Sequence, residues 1–175
     1  MSEFDTGSIF QRGHDAVADK LPGLAAPGRV WVVGAGGGIG SALCDALAEL
    51  NPAARLLRLS RRPYELPPTP LEHMDLALDY EQPESIVAAL ESLPDEWFPD
   101  WLLIATGWLH DDETWPEKSL RELDADHLAR AYRINAIGPA MLIKALDAKL
   151  PRKHALRIGV LSARVGSISD NRLGG

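Results

Sequence analysis

The sequence predicts an α/β fold in which a parallel β-sheet is covered by helices on both of its faces. Short apolar runs alternate with segments whose apolar residues recur at helical spacing, which is typical of repeated β–α–β units. The first apolar run also ends in a cluster of glycines, as expected where a strand turns sharply into a helix. We therefore expect a three-layer α/β/α arrangement around a doubly wound sheet, incomplete at its C-terminal end.

Five apolar runs predict the strands of this sheet. They cover residues 29–34, 55–60, 71–76, 100–106 and 156–162, and the third is the weakest. Apolar residues at helical spacing predict helices over 41–50 and 84–93, and a long helical region over 119–150. Residues 1–28 are expected to form an N-terminal arm and residues 29–175 the folded domain.

Prolines set the connection between the second and third strands apart from the others. Pro63, Pro67, Pro68 and Pro70 all lie within it. A helix cannot continue through such a segment, because proline lacks an N–H and its ring clashes with the preceding turn. The segment therefore predicts an extended connection, or a third strand displaced from its usual place.

Composition and charge exclude several functional classes. The 175 residues have a formal net charge of -7 and no basic run, which argues against a nucleic-acid-binding surface. The apolar runs are too short to span a bilayer. Cys44 is the only cysteine, which excludes an intrachain disulfide and fits a reducing cytoplasm. The five histidines lack the spacing of metal ligands, so we expect no metal site.

The glycine-rich segment 34–40 carries the main functional signal. A helix N-terminus offers free N–H groups and the positive end of a dipole, which together favour phosphate. The backbone must approach the phosphates closely, and glycine leaves room for that approach. Since the segment lies between a predicted strand and a predicted helix, it indicates a Rossmann-type dinucleotide site. The residues expected to bind the cofactor here are Gly34, Gly36, Gly37, Gly38, Ile39 and Gly40.

The end of the second strand favours NADP over NAD. An acidic residue at this place would bind the ribose 2′-hydroxyl of NAD, whereas arginine accommodates the 2′-phosphate of NADP. The sequence reads Ser60-Arg61-Arg62 and has no acidic residue there. We expect Arg61 to hold the phosphate, with Arg62 or Ser60 assisting.

The glycine spacing Gly34-x-x-x-Gly38-x-Gly40 resembles the cofactor motif of the short-chain dehydrogenase/reductase family, especially its carbonyl-reductase-like members. The resemblance covers the chain from about residue 29 to its end, although Val33 stands where threonine is usual. It implies that Asp75, followed by Leu76, contacts the adenine ring. It also places the segment Ala105, Thr106 and Gly107 against the cofactor, at the position of the family's Asn-Asn-Ala-Gly.

The resemblance also implies two residues of the catalytic site. Asn135 resembles the family's active-site asparagine, and the sequence itself supports a special role for it. The N–H that would bond its carbonyl in a continuous helix belongs to position 139, which is Pro139. A carbonyl left free in this way can hold a water in a proton relay. The catalytic serine is expected at Ser162, with Ser167 as the alternative, where its hydroxyl would stabilise the developing oxyanion.

The family's Tyr-x-x-x-Lys pair is missing from the 175 residues. The only tyrosines are Tyr64, Tyr80 and Tyr132, and none has lysine four positions later. In the family this pair begins about a dozen residues after the serine, and a complete core of this class runs to roughly 250 residues. We therefore expect this chain to be the N-terminal portion of a longer enzyme, binding cofactor weakly and inactive by itself.

The leading hypothesis is an NADP-dependent oxidoreductase that transfers a hydride between NADPH and an aldehyde or ketone. A non-catalytic NADP-binding or sensing module and a sugar-nucleotide epimerase of the same fold are the alternatives. The expected partners are a small carbonyl substrate, for which the loop 109–114 is a candidate wall, and further copies of the chain. The helix over 124–150 has apolar residues on more than one side, as expected for a dimer or tetramer interface.

Overall fold

A parallel five-stranded sheet forms the centre of the chain. The computed structural model describes residues 27–111 and 115–163, so most of the predicted N-terminal arm lies outside it. The strand order is β3-β2-β1-β4-β5, and all four neighbouring pairs run parallel. The strands are β1 (Arg29–Val33), β2 (Arg55–Ser60), β3 (Glu72–Ala77), β4 (Trp101–Ile104) and β5 (Arg157–Val160). The predicted α/β fold with a doubly wound parallel sheet is confirmed.

Four α-helices lie between these strands in the part of the chain that the structure describes. They are α1 (Gly38–Leu50), α2 (Glu84–Glu91), α3 (Ala125–Tyr132) and α4 (Gly138–Asp147). A wider π-helical turn, Arg133–Ile137, joins α3 to α4 and closes with a bond from the Gly138 N–H to the Arg133 carbonyl. The helical region predicted from residue 119 is therefore shorter and interrupted. It begins after Asp124, whose carboxylate accepts a hydrogen bond from the His127 N–H at 2.8 Å.

The proline-rich connection contains no α-helix, as predicted. It makes a short 3-10 turn at Pro63–Glu65 and then runs irregularly to the next strand. The third strand is not displaced, because β3 pairs with β2 residue by residue from Arg55 opposite Glu72 to Ser60 opposite Ala77. The prolines thus remove the helix of this crossover without disturbing the sheet.

Alternate residues of β1 face two separate apolar layers. Trp31 and Val33 belong to the larger layer, which includes buried residues of α2 and α4 such as Leu90 and Leu142. Val30 and Val32 face the other side of the sheet, toward α1. The alternation follows from the two-residue period of a strand and accounts for the apolar run that predicted it. Helices therefore cover both faces of the sheet, in three layers.

A buried ion pair joins β2 to β3. Both the Nε and the Nη2 of Arg58 donate to the carboxylate of Asp75 at 2.6 Å, and a third donor bonds the Pro67 carbonyl. The Arg58 side chain is only 4% exposed. Since an isolated buried charge is costly, Asp75 and the proline-rich connection together make this arginine compatible with the interior.

We predict that Asp75→Ala lowers the free energy of unfolding by about 3 kcal/mol, because the substitution leaves a buried guanidinium without its counter-charge. Arg55 and Glu72 form an exposed pair between the same two strands, so Glu72→Ala is the matched control. Its expected cost is below about 1 kcal/mol. Urea denaturation measures both values, and equal costs would contradict a structural role for Asp75.

Candidate dinucleotide-binding cleft

A cleft of about 440 Å³ lies at the carboxyl ends of the first four strands. The chain adds β2 and β3 on one side of β1 and then β4 and β5 on the other, so the strand order reverses between β1 and β4. Ligands of open parallel sheets bind at such a point. The residues lining the cleft come from the glycine turn and from the segments that follow β2, β3 and β4. They include Gly34, Gly36, Gly37, Ser60, Arg61, Arg62, Asp79, Tyr80, Glu81, Ala105, Thr106, Gly107, Trp108 and Ile134.

The turn from β1 to α1 requires glycine at two positions for different reasons. Gly34 has φ +84°, a conformation that side chains rarely adopt, and a Cβ there would lie 3.0 Å from the backbone nitrogen of Thr106. Gly40 lies in the first turn of α1, where a Cβ would overlap the carbonyl oxygen of Gly34. The two glycines therefore let the helix pack closely against the end of the strand.

The start of α1 exposes backbone N–H groups next to the cleft, of which Gly36 lines it while Gly38 and Ile39 lie outside its lining. Within the described residues, the amides of Gly36, Gly38 and Ile39 have no hydrogen-bond acceptor, and these residues are exposed. The first α-helical bond runs from the Ser41 N–H to the Gly37 carbonyl, and no side chain caps this end. Free amides at the positive end of a helix dipole form an anion-binding site.

The two predicted arginines differ in their pairing. Arg62 contacts Glu65 through its guanidinium at 3.5 Å, and its N–H bonds the Ser60 hydroxyl at 3.3 Å. Arg61 lines the cleft and is exposed, and within residues 27–111 and 115–163 its guanidinium has neither a hydrogen bond nor an ion pair. Arg61 is therefore the cation that this rim of the cleft leaves available for a phosphate.

The structure does not bring Asp75 or Leu76 to the cleft. Asp75 lies within β3 and is engaged by Arg58, while Leu76 packs against the larger apolar layer. An acidic residue that does line the cleft is Asp79, just beyond the strand end. Its carboxylate accepts the Glu81 N–H at 2.9 Å and so fixes the turn into α2. In open parallel sheets the ligand-binding residues follow the end of a strand. If the third strand is taken to end with the apolar residues 76–78, this rule selects Asp79.

Tyr80 forms part of the floor of the cleft and was not predicted as a site residue. It is 5% exposed, and its ring packs so closely on the start of α4 that a Cβ at Gly138 would overlap it. Burial raises the pKa of Tyr80 to about 12, although the neighbouring Thr106 hydroxyl acts in the opposite direction. Tyr80 therefore stays neutral at physiological pH.

Asn135 holds the loop that follows β4. Its side-chain oxygen accepts the Trp108 N–H and its side-chain nitrogen donates to the Trp108 carbonyl, both at 2.7 Å. Asn135 lies in the π-helical turn that directly precedes Pro139, where a regular helix would lack a hydrogen bond. The amide therefore braces the segment from Ala105 to Trp108, which lines the cleft. This positioning contact could not be read from the sequence.

The predicted catalytic serine lies at the same edge of the sheet. Ser162 follows β5 and is exposed, and the preceding residue bonds β4 through its N–H to the Ile104 carbonyl at 3.0 Å. Ser162 does not belong to the lining of the cleft itself. The alternative serine, Ser167, lies outside the described residues, as does part of the loop 109–114.

Two side chains of α3, those of Arg130 and His127, contact the indole ring of Trp108. The Arg130 guanidinium lies 4.4 Å from the centre of the indole ring, and the His127 ring approaches it edge-on at 4.8 Å. Arg130 also binds both carboxylate oxygens of Glu81, at 2.8 and 3.1 Å. This hydrogen bonding holds the pKa of Glu81 below its usual value. From sequence alone, Arg130 looks like a solvated residue on a polar helix face.

The described residues contain neither a metal-type cluster nor a membrane-length helix. No group of three or more His, Cys, Asp or Glu side chains within them is placed to hold a metal ion. None of the helices in the same part of the chain is long and apolar enough to cross a bilayer.

Solved structures show which proteins share this architecture. A protein assigned as a short-chain dehydrogenase/reductase from Burkholderia multivorans, with bound NADP, is 24% identical over 85% of this chain, with a TM-score of 0.66. A carbonyl reductase from Pseudomonas aeruginosa PAO1 is 25% identical over 82% of the chain, also with a TM-score of 0.66. An alcohol dehydrogenase of the short-chain class from B. multivorans is 26% identical over 83%, with a TM-score of 0.62.

The comparisons confirm the resemblance to short-chain dehydrogenase/reductases at the level of structure. The match spans 64%, 65% and 67% of the lengths of these three proteins, respectively. No family model matches the sequence, and no curated protein matches it at a significant level.

We predict that Gly40→Ala lowers the free energy of unfolding by about 1–3 kcal/mol, because the new methyl group meets the Gly34 carbonyl within a tightly packed turn. Gly38→Ala is the matched control, since no atom lies within 4 Å of its Cβ position. Alanine also favours a helix over glycine by about 1 kcal/mol, so this variant should be as stable as the parent or more stable. Urea denaturation compares them, and a stable Gly40→Ala variant would argue against the close strand–helix contact.

Proposed function

We propose that this chain binds NADP and forms the cofactor-binding part of an oxidoreductase that transfers a hydride between NADPH and an aldehyde or ketone. The observation that carries the proposal is the set of free amides at Gly36, Gly38 and Ile39, together with the unpaired guanidinium of Arg61, which lines the same cleft as Gly36, all within the described residues. The NADP bound to the similar B. multivorans protein supports the same cofactor class.

The residues present fit a dinucleotide with a 2′-phosphate. The amides at the start of α1 would bind the diphosphate, for which they offer hydrogen bonds and a positive dipole end. Arg61 would bind the 2′-phosphate, and Ser60 lies within the same rim. Gly36 lies close to Ser60, because a Cβ on it would be 3.0 Å from the Ser60 hydroxyl oxygen. The backbone from Ala105 to Gly107, braced through Trp108 by Asn135, would line the opposite wall.

The proposed chemistry divides between the cofactor and this chain. A bound nicotinamide supplies the hydride. Ser162, or alternatively Ser167, would donate a hydrogen bond to the substrate carbonyl and stabilise the charge that develops on its oxygen. Asn135 would keep the loop after β4 in place beside the reacting groups. The 175 residues contain no Tyr-x-x-x-Lys pair, so no general acid is assigned within them.

One alternative is an NADP-binding or sensing module without catalysis. The two proposals share the cofactor cleft and differ only in turnover. A sugar-nucleotide epimerase of the same fold is a third candidate, distinguished by its substrate.

We also propose self-association through α3 and α4. Apolar side chains are exposed there, namely those of Leu128, Tyr132, Ile137 and Met141.

We predict that the parent chain binds NADPH more tightly than NADH and that Arg61→Asp weakens NADPH binding by roughly ten- to hundredfold. The expected loss corresponds to a charge-assisted hydrogen bond of about 1.5–3 kcal/mol, and the new carboxylate adds repulsion. NADH affinity should hardly change. Fluorescence titration with both cofactors measures this. Arg62→Ser is the comparison variant and should weaken NADPH binding less, since Arg62 already pairs with Glu65 and serine adds no negative charge. A parent chain without preference for NADPH would refute the cofactor assignment.

We predict that Ser162→Ala lowers kcat for carbonyl reduction by about a hundredfold or more, the usual effect of removing an oxyanion donor, while NADPH affinity stays the same. The assay measures NADPH oxidation with a panel of aldehydes and ketones, using the 175-residue chain and any longer form of the protein that contains it. Ser167→Ala is run in parallel and should retain activity. Loss of turnover in Ser167→Ala alone would transfer the role to Ser167, and no turnover by either parent would favour the non-catalytic module.

A further inference from the structure

Arg130 contacts two of the loops that shape the cleft, although it does not line the cleft itself. Its Nε and Nη2 bind the two carboxylate oxygens of Glu81, in the loop after β3. Its Nη1 donates to Asp111 at 2.6 Å, in the loop after β4, and its guanidinium lies against Trp108 of the same loop. One side chain of α3 therefore ties together two of the segments that shape the cleft.

The rim of the cleft has acidic as well as basic groups, which matters for an anionic ligand. Glu65 is paired with Arg62, and the Asp79 carboxylate accepts the N–H of Glu81. Glu81 lines the cleft together with Arg61, and the charge of Arg61 acts on its carboxylate. Arg130 takes both oxygens of Glu81, and that bidentate geometry is the strongest pairing available to a carboxylate.

We infer that Arg130 is a positioning residue for recognition of the 2′-phosphate: by pairing with Glu81, it leaves Arg61 free to bind that phosphate. The inference rests on the proposed binding of NADP and extends it to a residue that does not line the cleft. Arg130 itself is directed at Glu81, Asp111 and Trp108, so its contribution acts through Glu81.

The physical consequence of losing Arg130 is specific to NADPH. A freed Glu81 carboxylate competes for Arg61 and repels a phosphate placed nearby. NADH has no 2′-phosphate, so it meets neither effect at this rim. The ratio of NADPH to NADH affinity therefore reports on the role of Glu81 and Arg130, whereas a general loosening of the cleft would weaken both cofactors alike.

The test is a double-mutant cycle on the full chain, with Arg130→Met, Glu81→Gln and the combined variant titrated with NADPH and with NADH. Arg130→Met is expected to weaken NADPH binding roughly tenfold, because the freed Glu81 carboxylate acts on Arg61 and on the phosphate near the protein surface. NADH binding should weaken about twofold or less. Adding Glu81→Gln to Arg130→Met should restore the NADPH-to-NADH ratio to within about twofold of the parent. Far-ultraviolet circular dichroism and thermal unfolding establish that each variant is folded.

Two further variants keep the inference testable if Arg130→Met does not fold. Arg130→Lys keeps the charge but not the paired hydrogen bonds, and it should give an intermediate loss of NADPH preference. Glu81→Gln alone should leave NADPH binding unchanged or tighter, because it removes the competing carboxylate.

The inference is overturned if Arg130→Met weakens both cofactors equally, if Glu81→Gln does not restore the ratio, or if Glu81→Gln alone weakens NADPH binding. A parent chain that binds neither cofactor would instead overturn the proposed function. The two failures are distinguishable, because the first leaves the parent's preference for NADPH over NADH intact.

Discussion

The close contact between the end of β1 and the first turn of α1 is the constraint on which the rest of the site depends. The Gly34 carbonyl lies against Gly40, so the helix starts close to the end of the strand, and the turn that leads into it lines the cleft. Any side chain at Gly40 would push the helix away and redirect the amides at its start. The anion site is thus a product of backbone packing, and the buried residues of β1 keep it in place.

The fold could be predicted from the sequence because its signals are local. Apolar runs, helical periodicity and the glycine turn each depend on residues close together in the chain, and they indicate five parallel strands and their helices. The predicted strand ends are less accurate, and one consequence is functional. Asp75, predicted to contact the cofactor, pairs with Arg58 of β2, whereas Asp79, two residues beyond the strand end, lines the cleft.

The contacts that could not be predicted join residues distant in sequence. Asn135 brackets the backbone of Trp108, 27 positions earlier, and Arg130 reaches Glu81, 49 positions earlier. Neither pairing leaves a periodic pattern, because each depends on how α3 is placed over the sheet. An amphipathic helix shows which side is apolar, but it does not show which loops its polar side will meet. Long-range polar contacts of this kind become visible only in three dimensions.

The π-helical turn between α3 and α4 has a consequence for how one helical region serves two purposes. An extra residue in a helix rotates the part before it by about 100° relative to the part after it. Downstream of the turn, Leu142 and Leu146 face the apolar interior, while upstream of it Arg130 and His127 meet the cleft loops. A single inserted position thus sets the angle between the half that packs on the core and the half that contacts the cleft loops, so that one helical region presents a different set of residues to each.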